Sequence, residues 1–370
     1  MLRAAQAEDY LSRIRQIKSV HTLVDMHVHP FEVVFNDLSY QKNSSMEGVY
    51  SSREASYSPP GIAEERSADD LPASCRRLIS ETVRHRCLRI AMQQLYKHTG
   101  TKVLTDHMDL SGIDQVLLLP VSRPGSSPDT QLEMMARMFG GDPRFLFGYS
   151  VPNAVNYDDL SAVIATAVER YGIKAIKIHP AITGIDPKTP SGRARIEKIL
   201  VACHENGLSV IIHGGRSPDV VTPVSADFGE LARLELVDWS LTDTAVVIAH
   251  AGVYGYEQVQ IEPVVKTLRR ILERHDNVMI DLSAVQHATL CRLLKEISAD
   301  RIVFGSDSLY FPQWRCLAAL YHALEETCAG AEESFLKIAS TNPQRIIMEG
   351  KASYRLPAND LQFNPLTDAG

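Results

Sequence analysis

Eight short, β-rich apolar runs are spread along this 370-residue chain, each leading through a polar or glycine-containing turn into a segment of helical character. The runs occupy 22–26, 115–119, 145–150, 174–178, 209–212, 245–249, 277–282 and 301–304. Between them, apolar residues recur at the three- and four-residue intervals of a helix face. Examples are Leu132, Met135, Met138 and Phe139, then Leu160, Val163, Ile164 and Val168, then Ile196, Ile199, Leu200 and Cys203. Strand and helix alternating eight times predict an α/β chain closed into a (β/α)8 TIM barrel. A doubly wound open sheet is the competing architecture, but no Gly-x-Gly-x-x-Gly follows the first strand.

Two stretches exceed a minimal barrel. Residues 31–71 are polar, rich in Ser and Tyr, and contain Ser58-Pro59-Pro60-Gly61, so they read as a long loop inserted after strand one. A helical stretch over 72–97 then leads toward strand two. Loops after barrel strands open onto the catalytic face, which makes this insertion a candidate lid or substrate-specificity element, with a disordered or oligomer-contacting loop as the other reading. The expected organisation is an N-terminal helical extension over 1–20, the barrel over 21–350 with the insertion and helical segment at 31–110, and a tail over 351–370.

Composition excludes several classes. A net charge of −7 and a pI near 6.0 offer no electrostatic attraction to nucleic acid or an anionic membrane. The six cysteines form no Cys-x-x-Cys pair, which points to reduced thiols in the cytoplasm rather than a disulfide framework. Residues 1–20 lack the apolar region of a signal peptide, and no run approaches the ~20 residues of a membrane span. The expected partner is a small-molecule substrate, with homo-oligomer formation left open.

Barrel active sites occupy the C-terminal ends of the strands. Five of the thirteen histidines fall there: His27 and His29 after strand one, His179 after strand four, His213 after strand five and His250 after strand six. Strand eight runs into Gly305-Ser306-Asp307. His85, His98, His204, His275 and His322 show no such pattern. In Asp25-Met26-His27-Val28-His29-Pro30, strand alternation puts His27 and His29 on one face about 7 Å apart. Imidazole and carboxylate together are the ligand set of a borderline divalent ion such as Zn(II), and Asp307 suits both ligation and acceptance of a proton from water. The same alternation sets Lys177 and His179 on one face. A lysine inside a barrel needs a partner, a substrate carboxylate or carbamylation.

These motifs resemble the amidohydrolase superfamily, within it the amidohydrolase-related group that includes aminocarboxymuconate-semialdehyde decarboxylase. Asp25 to His29 is similar to the family's first-strand motif, and Lys174 to Pro180 to its Lys-x-His-Pro segment. Ser209 to Gly215, Val246 to Gly252 and Phe304 to Asp307 are similar to its later strand ends. Asn342-Pro343-Gln344-Arg345 resembles its C-terminal Asn-x-x-Arg element. The resemblance implies that His27, His29, His213 and Asp307 bind a zinc-like divalent ion, one rather than two, and that His250 polarises the scissile group or relays a proton. A second metal would take Lys177, His179 and His250, and those residues could instead meet substrate. The expected activity is metal-dependent hydrolysis, activated water attacking an amide, ester or lactone carbonyl. The alternative is non-oxidative decarboxylation of a small carboxylic acid, and a non-catalytic barrel comes last. Arg123 and Arg216, after strands two and five, are candidates for holding a substrate carboxylate.

Overall fold

The computed structural model describes residues 4–30, 33–34, 101–122, 127–151, 156–217, 225–308 and 311–348. The expected insertion, apart from Val33 and Val34, lies outside these residues. So do the helical stretch over 72–97, Arg123 and the tail over 351–370. Eight parallel strands pair in chain order: β1 (Val24–Val28), β2 (Gln115–Leu118), β3 (Phe145–Ser150), β4 (Ala175–Ile178), β5 (Ser209–Ile212), β6 (Val246–Ile248), β7 (Val278–Asp281) and β8 (Ile302–Val303). The sheet comes round on itself where Met26 N donates to Phe304 O and Asp307 N to His27 O, beside a parallel bridge between Val28 and Ser308. The fold is the expected (β/α)8 barrel.

Two apolar layers explain why the strands are legible. Leu117, Leu119, Ala175, Ile211, Val247 and Met279 fill one cluster with Ile346 and Ile347. Their neighbours Val116, Leu118, Ile176, Ile178, Val210, Ile212, Val246, Ile248, Val278 and Ile280 pack in a second cluster with the helices. The strands are therefore buried on both faces and read as continuous apolar runs. Lys177 has the parity of Ala175, His213 that of Ile211, and Asp281 that of Met279. The inward row thus turns from apolar to polar at the C-terminal end of these strands.

The outer layer comprises α1 (Ala4–Lys18), α2 (Thr101–Ser111), α3 (Pro128–Phe139), α4 (Leu160–Tyr171), α5 (Pro190–Asn206), α6 (Ile261–Arg274), α7 (His287–Glu296), α8 (Gln313–Thr327) and α9 (Ala331–Leu336), while α10 (Asn342–Met348) adds Ile346 and Ile347 to the inner cluster. The three predicted helical faces fall on α3, α4 and α5. Their starts are ordinary: Ser127 accepts from Thr130 N ahead of Pro128, and Thr189 accepts from Gly192 N ahead of Pro190. Helix α1 lies on α8 and buries Ala7, Leu11 and Ile14, one helical face. Full burial of Leu11 or Ile14 contributes about 1.5–3 kcal/mol each.

Strand one differs from its expected 22–26. The extended chain begins and ends two residues later, because Leu119 N donates to Val28 O and His29 N to Ser308 O, carrying backbone pairing past Met26. His27 consequently sits inside the strand, and the turn starts after Val28.

Candidate metal centre

The geometry starts from two imidazole rings whose outer nitrogens are spoken for. His29 Nδ1 donates to Leu119 O at 2.7 Å, and His27 Nδ1 donates to Asp281 Oδ2 at 2.8 Å. A neutral imidazole with Nδ1–H engaged presents a lone pair at Nε2. The two Nε2 atoms lie 3.2 Å apart. Ligands on a tetrahedral ion at about 2.0–2.1 Å would stand about 3.3–3.4 Å apart, so this pair has the spacing of two donors to one ion. The separation is much shorter than the 7 Å expected between extended side chains, because the rings turn toward each other, with centroids 4.9 Å apart and planes at 79°. Asp307 Oδ1 is 3.4 Å from His29 Nε2 and 3.9 Å from His27 Nε2. Among the described residues, His27, His29 and Asp307 form one group with mutually close donor atoms, and His27, His250 and Asp281 another.

Asp281 is the hub beneath these groups. It is buried, and its Oδ1 accepts from His250 N at 2.8 Å, from Ser283 N at 3.0 Å and from Ser283 Oγ. Burial alone would raise its pKa, but His27, His250 and Ser283 hold it well below the usual carboxylate range. Ser283 also orients His250, whose Nδ1 lies 2.8 Å from Ser283 Oγ and 3.1 Å from Ser283 O, a donor's position that leaves Nε2 as acceptor. Asp25 performs the same service for the other seam. It accepts from Ser306 Oγ at 2.6 Å, Gln313 Nε2 at 2.7 Å, Ser306 N at 3.0 Å and His27 N at 3.1 Å. Burial nonetheless pushes the Asp25 carboxyl up to about 6.

Lys177 is buried with Nζ 2.8 Å from His27 Nε2, and burial lowers it to about 8 despite Asp281 and Asp307. His213 stacks on His179 with centroids 4.0 Å apart and meets His250 edge-on at 4.9 Å. Its Nε2 is 2.8 Å from Ser217 Oγ, so His213 adjoins the centre without its donor atom joining the group of His27, His29 and Asp307. His179 caps the helical turn Pro180–Thr183, its Nδ1 accepting from Ile182 N at 3.4 Å. Arg216 is engaged elsewhere: Nε donates to Asp227 Oδ1 at 2.8 Å and its guanidinium lies 6.0 Å from the Tyr256 ring centre.

The backbone is unusual at the same place. His250, Ala251 and Asp307 have φ of 57°, 49° and 57°. For residues with a Cβ this left-handed region costs about 1–2 kcal/mol each, and such conformations gather at functional sites. At Gly305 the constraint is space: an added Cβ would lie 2.8 Å from His27 Cβ and 3.3 Å from Asp281 Cγ. Gly305→Ala is therefore expected to destabilise the protein by about 1–3 kcal/mol in urea unfolding and to reduce bound metal.

Burial lowers the pKa of His29, His179 and His213 well below the ordinary imidazole value and that of His250 to about 4. Between about pH 6.5 and 4 the unfolded chain binds protons at these rings that the folded chain refuses. Stability then rises with pH and is lost on acidification, by up to about 1.4 kcal/mol per pH unit for each proton. Asp25, whose folded pKa is raised, works in the opposite sense but is one group against four. Chelator-treated protein should thus lose thermal stability steadily from pH 6.5 toward pH 4, and a flat profile would contradict the neutral assignment of these rings.

The amidohydrolase profile matches residues 24–347. The chain belongs to the amidohydrolase family. Similar solved structures include an uncharacterised TIM-barrel protein from Bordetella bronchiseptica, with TM-score 0.56 and 14% identity over 90% of this chain and 100% of that one. An IDCase from Metarhizium anisopliae has TM-score 0.55 and 17% identity over 91% and 99%. An amidohydrolase from Burkholderia multivorans solved with bound zinc has TM-score 0.50 and 14% identity over 91% and 100%. At these identities the likeness shows the fold. No curated protein matches the sequence. For an amidohydrolase, the donor set described above is chemically suited to a divalent ion: lone-pair nitrogens, a carboxylate, and partners that fix each ring.

Neither Asp281 nor Ser283 was assigned a role from the sequence, although both lie near the predicted rim, Asp281 one residue inside the end of the predicted strand 277–282. That position was the available signal. No described helix is long and apolar enough to cross a membrane.

Proposed function

We propose that this amidohydrolase-family protein is a metal-dependent hydrolase acting on an amide, ester or lactone carbonyl of a small molecule. The observation that carries the reading is the pair of Nε2 atoms 3.2 Å apart with Asp307 Oδ1 3.4 Å from His29 Nε2. His27, His29 and Asp307 would hold the ion, and His213 would complete the set by giving up its bond with Ser217. One zinc-like ion is favoured. When bound, the ion supplies Lewis acidity and brings the ionisation of water into the neutral range.

The protein's own groups do the rest. Asp307, a carboxylate beside both imidazoles, accepts the proton of the attacking water. His250, with Nδ1 bound to Ser283, offers Nε2 to receive or return a proton at the scissile group. Asp281 keeps His27 in its tautomer directly and His250 through Ser283, whose hydroxyl it binds. Lys177, lowered to about 8 and so largely cationic at neutral pH, would turn from His27 Nε2, which the ion takes, to an anionic substrate. Carbamylated, it would instead join His179 and His250 around a second ion.

That buried cation also favours a second reading, non-oxidative decarboxylation, because an ammonium inside the barrel would bind a substrate carboxylate directly. Incubation with a panel of lactones, amides, esters and aromatic or dienoic acids in H218O separates the two. Hydrolysis places one 18O in the product and releases no CO2. Release of CO2 without 18O incorporation would reject the hydrolase, and inertness toward the whole panel with metal bound would count against both.

A further inference from the structure

We propose that a second site for a divalent transition metal lies on the outside of the barrel, across α7 and α8, with His287, Cys291, His322 and Glu326 as ligands. The sequence supplies the pattern twice. His287 and Cys291 are four residues apart on α7, and His322 and Glu326 four apart on α8. Residues at that interval share a helix face, and the two helices pack against one another. The packing brings His287, His322 and Glu326 to one point, with Cys291 beside His287 and Glu326.

His287 Nε2 lies 3.0 Å from Glu326 Oε2, and His322 Nε2 lies 3.3 Å from Glu326 Oε1. Cys291 Sγ is 3.6 Å from His287 Nε2 and 3.5 Å from Glu326 Oε2. The donor atoms of the two histidines and Glu326 all fall within 4.8 Å of one another. A tetrahedral ion with bonds of about 2.0–2.3 Å sets its donors about 3.3–3.8 Å apart, and the observed separations straddle that range. The two imidazoles are parallel, with centroids 5.1 Å apart and planes at 10°, so both Nε2 atoms reach Glu326 from one side.

A further contact positions one ligand. Tyr10 OH, on α1, lies 2.9 Å from His322 Nδ1 and leaves Nε2 facing the cluster. Histidine ligands almost always have the other ring nitrogen held in this way. Two imidazoles, a thiol and a carboxylate select a borderline ion such as Zn(II) or Co(II) over Mg2+ or Ca2+, which prefer oxygen alone. Side-chain exposures of 44% for His287 and 49% for Glu326 leave the cluster open to an ion from solvent. On binding, the Cys291 thiol gives its proton to solvent. The ion would tie α7 to α8, and through Tyr10 to α1.

Cobalt makes the test independent of the barrel mouth, where the ligands proposed above contain no sulfur. Full-length protein is titrated with Co(II), and the thiolate-to-cobalt charge-transfer absorption is followed. At saturating Co(II) the band should develop in the wild type and to the same amplitude in His27→Ala. Cys291→Ser should abolish it, and His322→Ala should weaken Co(II) binding at this site at least about tenfold. Tyr10→Phe should keep the band and lower affinity by about 10–100-fold. Circular dichroism confirms that each variant is folded. Lack of the band in the wild type at saturating Co(II), or its persistence in Cys291→Ser, overturns the proposal.

Discussion

Replacing Asp307 with asparagine is expected to lower kcat/KM by on the order of 10³-fold or more and to strip the protein of its tightly held metal. The substitution is almost isosteric, and asparagine tolerates the left-handed backbone that Asp307 adopts. Folding should survive. What disappears is the negative charge beside His27 and His29, and with it a ligand and a proton acceptor. Metal content by atomic emission after gel filtration, alongside kinetics on the substrate found in the panel, measures both losses. An asparagine variant that retains one equivalent of metal and activity within threefold of wild type would remove Asp307 from the site.

Asp281 should give the second large effect, and two variants divide it into parts. In Asp281→Ala the donors of His27, His250 and Ser283 lose their buried acceptor, a change expected to cost about 3–5 kcal/mol in urea unfolding. In Asp281→Asn much of that stability should remain, since one amide oxygen can still accept from His250 N. The amide NH2 then faces His27, however, and the ring does best with its proton on Nε2. That is the nitrogen needed by the metal. Asp281→Asn should therefore bind zinc about 10–100-fold more weakly in competition with a chelator, at a modest stability loss. Equal zinc affinity in Asp281→Asn and wild type would show that the tautomer is set by something else.

The barrel was legible because its strands are apolar on both faces and its histidines sit at their ends. Lys177 could be placed by parity alone. The boundary of β1 was not legible, because it depends on Leu119 and Ser308, residues far along the chain. Nor was the role of Asp281, whose partner His27 is 254 residues away and which belongs to no local motif. His213 was correctly placed at a strand end, but the direction of its Nε2 depends on Ser217. Arg216 read as a candidate for a substrate carboxylate, and its bond to Asp227 had no signal in the sequence. His287 and His322 lie in helices with no strand-end signal, and only helix packing pairs them.

The left-handed residues of the centre carry a consequence for how such a protein drifts. Glycine is the relaxed occupant of that backbone region, whereas alanine is not. His250→Gly and Asp307→Gly should accordingly be more stable than the matching alanine variants by about 1 kcal/mol. Mutation pressure toward ease of folding thus points away from the working side chains, and only selection on what the centre does holds His250 and Asp307 in place.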